Sequence, residues 1–419
     1  MEQMAGDQIG RRYQALALRL GRHLPGYVDF WLGPAELREA IAGEEPAPPV
    51  ELHMEAVALH EMAASLPADS PEAARRRAWL MAQLGAMSAT ARRLGGEEIA
   101  YADLVEALFD VVPAATPGED VARAHAVLAD VLPSGPSLRE RLLAHDEATR
   151  VPAEALIPAI QAAAEVLRRR TAEDFGLPAS ESIEVVAVQD RPWGASAPYL
   201  GGLRTRIEVN LDLPATLGTV VYLAAHEAYP GHHAERATKE QALWREAGLD
   251  EAAVACLYTP EISISEGMAD LAREVVMTDA ELGAELRRLV ERLALPIASA
   301  DAEREVSVGW ARDLLRDLTA DAGLALHQHG LPEAEVRQLL AELALRSEAR
   351  IEHDLVGLRD PFSCVYPFAY TLGRRLIAPW LAAQGQTTGY ARLLREQLTP
   401  GRLRSELGEA PALFPGSLA

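Results

Sequence analysis

Cysteine is nearly missing from this 419-residue chain, which has only Cys256 and Cys364. Two cysteines cannot make a disulfide framework, so the fold must rest on its apolar core, and a reducing compartment is expected. Aromatic residues are scarce, at 5%. Positive charge is in deficit: 40 Lys and Arg against 62 Asp and Glu leave a formal net charge of −22. Such a chain repels phosphate backbones, which argues against nucleic-acid binding, and it offers no basic helix to a membrane surface. No apolar run reaches the ~18 residues of a membrane span. The opening stretch MEQMAGDQIGRRYQALALRL carries no apolar signal core with a cleavage site. A cytoplasmic protein is the expectation. Nucleotide and esterase signatures are missing too: there is no GxxxxGKS/T, no GxGxxG and no GxSxG, only a GASAP from Gly194. None of the 11 histidines has a glutamate three residues before it, which excludes the Glu-x-x-His pairs of helical di-iron proteins.

What is present favours helix. Ala, Leu, Glu and Arg dominate, and 49% of residues are hydrophobic. Apolar residues recur at three- and four-residue spacing over 11–24, 50–66, 71–94 and 101–111, and a long helical segment covers 152–175. The texture changes after Gly176. SIEVVAV at 182–188 reads as a strand, DRPWGASAPYLGG as a loop, and LRTRIEVNL as a half-buried strand with Thr205, Ile207 and Val209 on one face. An apolar helix, TLGTVVYLAAHEAY, follows, and from Glu261 the chain reads as helix almost to its end. The expected fold is mainly α (α+β), with a small β-sheet covering a buried active-site helix. A helical region over 1–175 and a catalytic region over 176–419 are expected, as two parts or as one compact unit.

The apolar helix ends in HEAYPGHH, His226 to His233. This is almost the HExxH of zinc peptidases, but Pro230 stands where the second histidine belongs. On a straight helix His233, at i+7, shares the face of His226 but lies about 10.5 Å along the axis, and His232 points elsewhere. A straight helix therefore cannot join them on one ion. Pro230 removes an amide donor and Gly231 relaxes the backbone, so a bulge or break there can return His232 or His233 to the metal. The competing reading is a helix C-terminus whose histidines cap carbonyls. Glu266 in SEGMAD is the expected acidic third ligand. Asp270, one turn on, is placed to hold the second ring N–H of a ligating histidine. Two histidines and one carboxylate leave a coordination position for water, the catalytic zinc pattern. Glu227, beside a ligand but not one, is the expected general base.

HEAYPGHH, followed by Glu266–Ala269 and by Tyr370–Gly373 in YPFAYTLGRR, resembles the bacterial domain-of-unknown-function 885 family, which is itself similar to gluzincin metallopeptidases. That family's pattern is HExxPGHH, then EGWA, then YxxG. The resemblance covers the C-terminal half well and the N-terminal helices loosely. It implies a zincin-like fold, metal binding at His226, Glu266 and one or both of His232 and His233, and Glu227 as base. It makes Tyr370 a hydrogen-bond donor to the oxyanion, against the plainer reading of a core tyrosine. The chain departs from the pattern at Met268, in place of tryptophan, and at Leu271, in place of an aromatic. Those departures bear on the substrate pocket.

The function expected is a zinc-dependent peptide hydrolase acting on a peptide or small amide, with a catalytically inactive metal- or peptide-binding protein as the alternative. One Zn2+ per chain is expected, with His232 the preferred second histidine. His233 is the alternative ligand, or faces substrate or an acid behind the site. Arg374, with Arg375, is a candidate for a substrate carboxylate, against a solvated helix face. The strand 203–209 is a candidate edge for pairing with an extended peptide. His60–Glu61 reads as a solvated helix face, His327 and His329 as a helix end, and His353 as a satisfied surface or cleft residue.

Overall fold

The computed structural model describes residues 2–191 and 193–408; Pro192, within the expected loop, and 409–419, at the end of the expected catalytic region, lie outside the described residues. Helix dominates from Glu2–His23 to Pro400–Glu406. Helices Pro49–Ala64, Pro71–Leu94, Tyr101–Phe109 and Ala153–Phe175 follow the periodic segments of the sequence. Pro71 opens its helix because its missing amide is not needed there, and the Ser70 hydroxyl accepts from the Ala73 amide at 3.1 Å. Ala35–Gly43 lies outside those segments, and so do two further helices, Gly118–Val131 and Leu138–Ala148. The latter two join Ser299–Leu315, Glu333–Glu342 and Glu348–Arg359 around a smaller core that includes Leu128, Val308, Leu340 and Leu355.

The main core draws on both sides of residue 175. Tyr13, Trp79, Leu108 and Leu167 share it with Val220, Ile264, Met268, Phe368 and Trp380. Among the described residues no helix is long and apolar enough to cross a membrane.

Two small sheets interrupt the helices. Val28–Trp31 pairs antiparallel with Val254–Cys256. Ser182–Val188 runs parallel to Arg204–Asn210, in register from Ser182 opposite Arg204 to Val188 opposite Asn210. The second of these strands buries Thr205, Ile207 and Val209 and exposes Arg204 and Arg206, as its alternation requires. It is a central strand, which corrects the expectation of a free edge at 203–209. Ala195–Ser196 pairs along its other side, Tyr199 bridges to Thr205, and the Arg206 amide donates to the Pro198 carbonyl at 3.1 Å. The covering segment was hard to foresee because its pairing is short and lies in a Gly- and Pro-rich stretch.

The helix that carries the motif is pinned at its start. Thr216 caps Leu217–Leu223, accepting from the Thr219 amide at 3.3 Å. Glu305, from helix Ser299–Leu315, accepts from the Gly218 amide at 2.7 Å, the Thr216 hydroxyl at 3.1 Å and the Thr149 hydroxyl at 3.0 Å, with His145 Nε2 at 2.8 Å. A buried carboxylate at a helix N-terminus suits the dipole and the free amides there. A Cβ at Gly218 would collide with this carboxylate.

Candidate metal centre

The motif helix changes geometry where the sequence raised the question. After Leu223 it widens into a π-helical turn over Ala224–Ala228, closed by the Tyr229 amide on the Ala224 carbonyl at 3.1 Å. Tyr229 is extended, the Tyr229–Pro230 peptide is cis, and the Gly231 amide reaches back to the Ala225 carbonyl at 3.0 Å. A new helix, His232–Lys239, starts at once. The turn requires glycine: a Cβ at 231 would collide with the carbonyl oxygens of Ala225 and His226. Widening and break together bring His232 back beside His226.

The two imidazoles meet with Nε2 atoms 3.1 Å apart and ring planes at 89°. Glu266, from helix Pro260–Val276, puts Oε2 3.3 Å from Nε2 of His226 and 3.4 Å from Nε2 of His232. All three side chains are buried. Protons do not satisfy this arrangement. Two facing ring nitrogens share at most one proton, and Glu266 Oε2 is buried without any hydrogen-bond partner among the described residues. One cation satisfies all three atoms, and the three residues offer ligand atoms within 4.8 Å of one another. The donor set, two imidazoles and a carboxylate, suits zinc. The electrostatics agree. Burial pushes the His226 pKa down, but the nearby carboxylates of Asp270, Glu266 and Glu227 overcome this and raise it to about 10. Burial pushes the Glu266 carboxyl up, yet His232 and His226 hold it far below the usual range. The pocket favours positive charge.

Partners fix the rings of this candidate site from behind. Asp270 Oδ1 lies 3.2 Å from His226 Nδ1 and accepts from the Tyr222 hydroxyl at 2.8 Å. Arg316 pairs with the same carboxylate and lies over the Tyr222 ring, 4.5 Å from its centre. Tyr366 donates to Glu266 Oε1 at 2.7 Å. Glu227 is buried beside these groups, and its carboxylate makes no hydrogen bond or ion pair among the described residues. The Tyr370 ring stacks 6.3 Å from that of His226, and its hydroxyl has no hydrogen bond among the described residues. Burial and the acids around it push the Tyr370 pKa well above its usual value, so the hydroxyl keeps its proton.

Two glycines bring Tyr370 this close. A Cβ at Gly267 would lie 2.8 Å from Ile377 Cδ1 and 3.0 Å from the Gly373 amide; a Cβ at Gly373 would lie 2.8 Å from the Gly267 carbonyl. The glycines of EG at 266–267 and YxxG at 370–373 therefore face each other. They let the two backbones touch, which sets Tyr366 on Glu266 and the Tyr370 ring beside His226.

The other candidates lie elsewhere. His233 is fully buried, with Nε2 2.8 Å from Glu181 and Nδ1 2.7 Å from the Thr205 hydroxyl. Glu181 also accepts from Tyr229 at 2.5 Å and from Arg168 at 2.6 Å. Arg374 donates to Glu274 at 2.5 Å and to Asp313 at 2.9 Å, and Arg375 to Asp317 at 3.0 Å. Sequence reasoning overlooked Tyr222 and Tyr366. The signal for both was present: Tyr222 lies one turn before His226, and Tyr366 lies one turn before Tyr370.

No family model matches the chain, and no curated protein matches it. Solved structures do. A protein from Colwellia psychrerythraea, provisionally described as a lipoprotein, aligns with 85% of this chain and 66% of its own length at 15% identity and a TM-score of 0.52. A provisional lipoprotein of unknown function from Shewanella oneidensis aligns with 89% of this chain and 76% of its own at 13% identity and a TM-score of 0.51. The chain thus spans about two thirds of the Colwellia protein. An M32 carboxypeptidase from Deinococcus radiodurans R1 aligns over 98% and 96% of the two chains at 14% identity, with a TM-score of 0.46. The first two likenesses establish a shared, mainly helical fold.

Proposed function

We propose that this chain is a zinc-dependent peptide hydrolase of the zincin kind and a member of the domain-of-unknown-function 885 family. The observation that carries the reading is the convergence of His226 Nε2, His232 Nε2 and the unpartnered Glu266 Oε2 at one buried point, with the free Glu227 carboxylate alongside. His226, His232 and Glu266 would hold the ion. When bound, zinc supplies Lewis-acid chemistry, polarising a peptide carbonyl and lowering the pKa of water.

The chain's own residues supply the rest. Glu227 takes a proton from the attacking water and passes it to the departing amine. Tyr370 donates from its protonated hydroxyl to the carbonyl oxygen as negative charge builds there. Asp270 accepts from His226 Nδ1–H and keeps the lone pair of Nε2 facing inward. Tyr366 fixes one oxygen of Glu266 and leaves the other to the ion. The substrate is a peptide or a small amide.

Glu227→Gln tests the reading. It preserves shape, zinc content and fold, and it lowers turnover of a mixed peptide set by about 10²–10⁴-fold. Native zinc-loaded protein that hydrolyses no peptide or amide contradicts the proposal. A Glu227→Gln protein that loses zinc contradicts the role given to Glu227.

A further inference from the structure

His226 has a carboxylate directly behind it, and among the described residues His232 does not. Behind His232 stands the Ser265 hydroxyl, 3.1 Å from Nδ1. Ser265 Oγ donates to Glu235 Oε2 at 2.5 Å. Glu235 in turn receives Lys239 Nζ on its other oxygen at 2.7 Å, and Lys239 also reaches Glu261 at 3.4 Å. His232, Ser265 and Glu235 are all buried, so water does not compete for these bonds.

Local spacing produces the arrangement. Glu235 and Lys239 stand three and seven residues after His232 on helix His232–Lys239, on one face. Ser265 immediately precedes Glu266 on helix Pro260–Val276. The residue pair Ser265–Glu266 thus serves one histidine from both sides, the hydroxyl at Nδ1 and the carboxylate near Nε2.

We infer that Ser265 and Glu235 are positioning residues that set the tautomer of His232 through a serine-bridged carboxylate; this rests on the metal-site reading above. A serine hydroxyl has one proton to give. Glu235, beside the Lys239 ammonium, is ionised and only accepts; burial pushes its carboxyl up, but Lys239 and Ser265 more than offset this. The serine proton is therefore committed to Glu235. Ser265 Oγ then accepts from His232 Nδ1–H, which leaves the Nε2 lone pair pointing at His226 and Glu266. The chain obtains from Ser265 and Glu235 at one ring what Asp270 does directly at the other.

The experiment is zinc affinity of the full chain by chelator competition, with the d–d spectrum of the cobalt(II)-loaded protein as a second readout. Ser265→Ala is expected to weaken zinc by about 10–100-fold, the range for outer partners of metal ligands, and to shift the cobalt spectrum. In a His232→Ala background it is expected to change the affinity no further, because it acts through that ring. Glu235→Gln, which removes the charge that holds the serine proton, is expected to weaken zinc as well, and it carries the test if Ser265→Ala does not fold. Affinities within twofold of native in the folded variants overturn the inference, as does an equal loss from Ser265→Ala with and without His232. Those results leave the metal site standing. A native chain that binds no zinc overturns the site and the inference together.

Discussion

His226 and His233 are seven residues apart, both are buried, and they serve different neighbours. His226 faces His232 and Glu266, whereas His233 spans Glu181 and Thr205 and so ties the motif helix to the sheet. Sequence spacing could not separate His232 from His233, because the i+4 and i+7 rules assume a straight helix. The π-helical turn and the break at Gly231 reset the count. Our account predicts that His233→Ala keeps one zinc per chain but costs about 1–3 kcal/mol of stability, since it leaves the buried Glu181 short of a partner. Thermal melting with metal analysis checks this; loss of zinc at an unchanged Tm contradicts it. Arg374 shows the converse limit. Its type left a substrate carboxylate and a solvated helix face open; two acids that are distant in sequence, Glu274 and Asp313, engage it, and no local pattern reveals them.

At the scale of elements, most helices and both long strands were legible, because apolar periodicity and Pro or Ser start signals agreed there. The helices Gly118–Val131 and Leu138–Ala148 were not, because they pack on a satellite core built largely from residues beyond 300. The meaning of the paired glycines was also hidden. EG and YxxG looked like separate motifs, yet Gly267 and Gly373 form one contact between two backbones. Gly373→Ala should push the Tyr370 turn off helix Pro260–Val276. A shift of about 1 Å at a catalytic group can cost about 100-fold, so kcat should fall about 10–100-fold while zinc stays bound. Steady-state kinetics on a zinc-loaded sample decides. An unchanged kcat contradicts the role assigned to Tyr370.

For the molecule as a whole, one core joins residues from both sides of the expected boundary at 175, and buried carboxylates hold its elements in place. Glu305 is the clearest case away from the candidate metal centre. Burial pushes its carboxyl up, but the His145 hydrogen bond, the Arg312 charge and the Gly218 amide bring it below its ordinary 4.5. A depressed folded pKa means that the unfolded chain takes up protons first. The stabilisation is therefore complete above about pH 4.5 and is lost as pH falls through the folded value. Glu305→Gln should melt earlier at pH 7 and show a shallower fall of Tm below about pH 4.5 than the native chain. Identical acid slopes in calorimetry contradict this. The excess of acid, 62 Asp and Glu against 40 Lys and Arg, was plain in the composition, but which carboxylates are structural was not.

The central claim is that one zinc ion sits among His226, His232 and Glu266. Anomalous diffraction at the zinc edge from crystals of the zinc-loaded chain tests it most directly. The account predicts one strong peak, about 2.0–2.2 Å from Nε2 of both histidines and from a Glu266 oxygen, with His233 still on Glu181. A peak bound by His233 in place of His232, or no peak between these three residues, contradicts it.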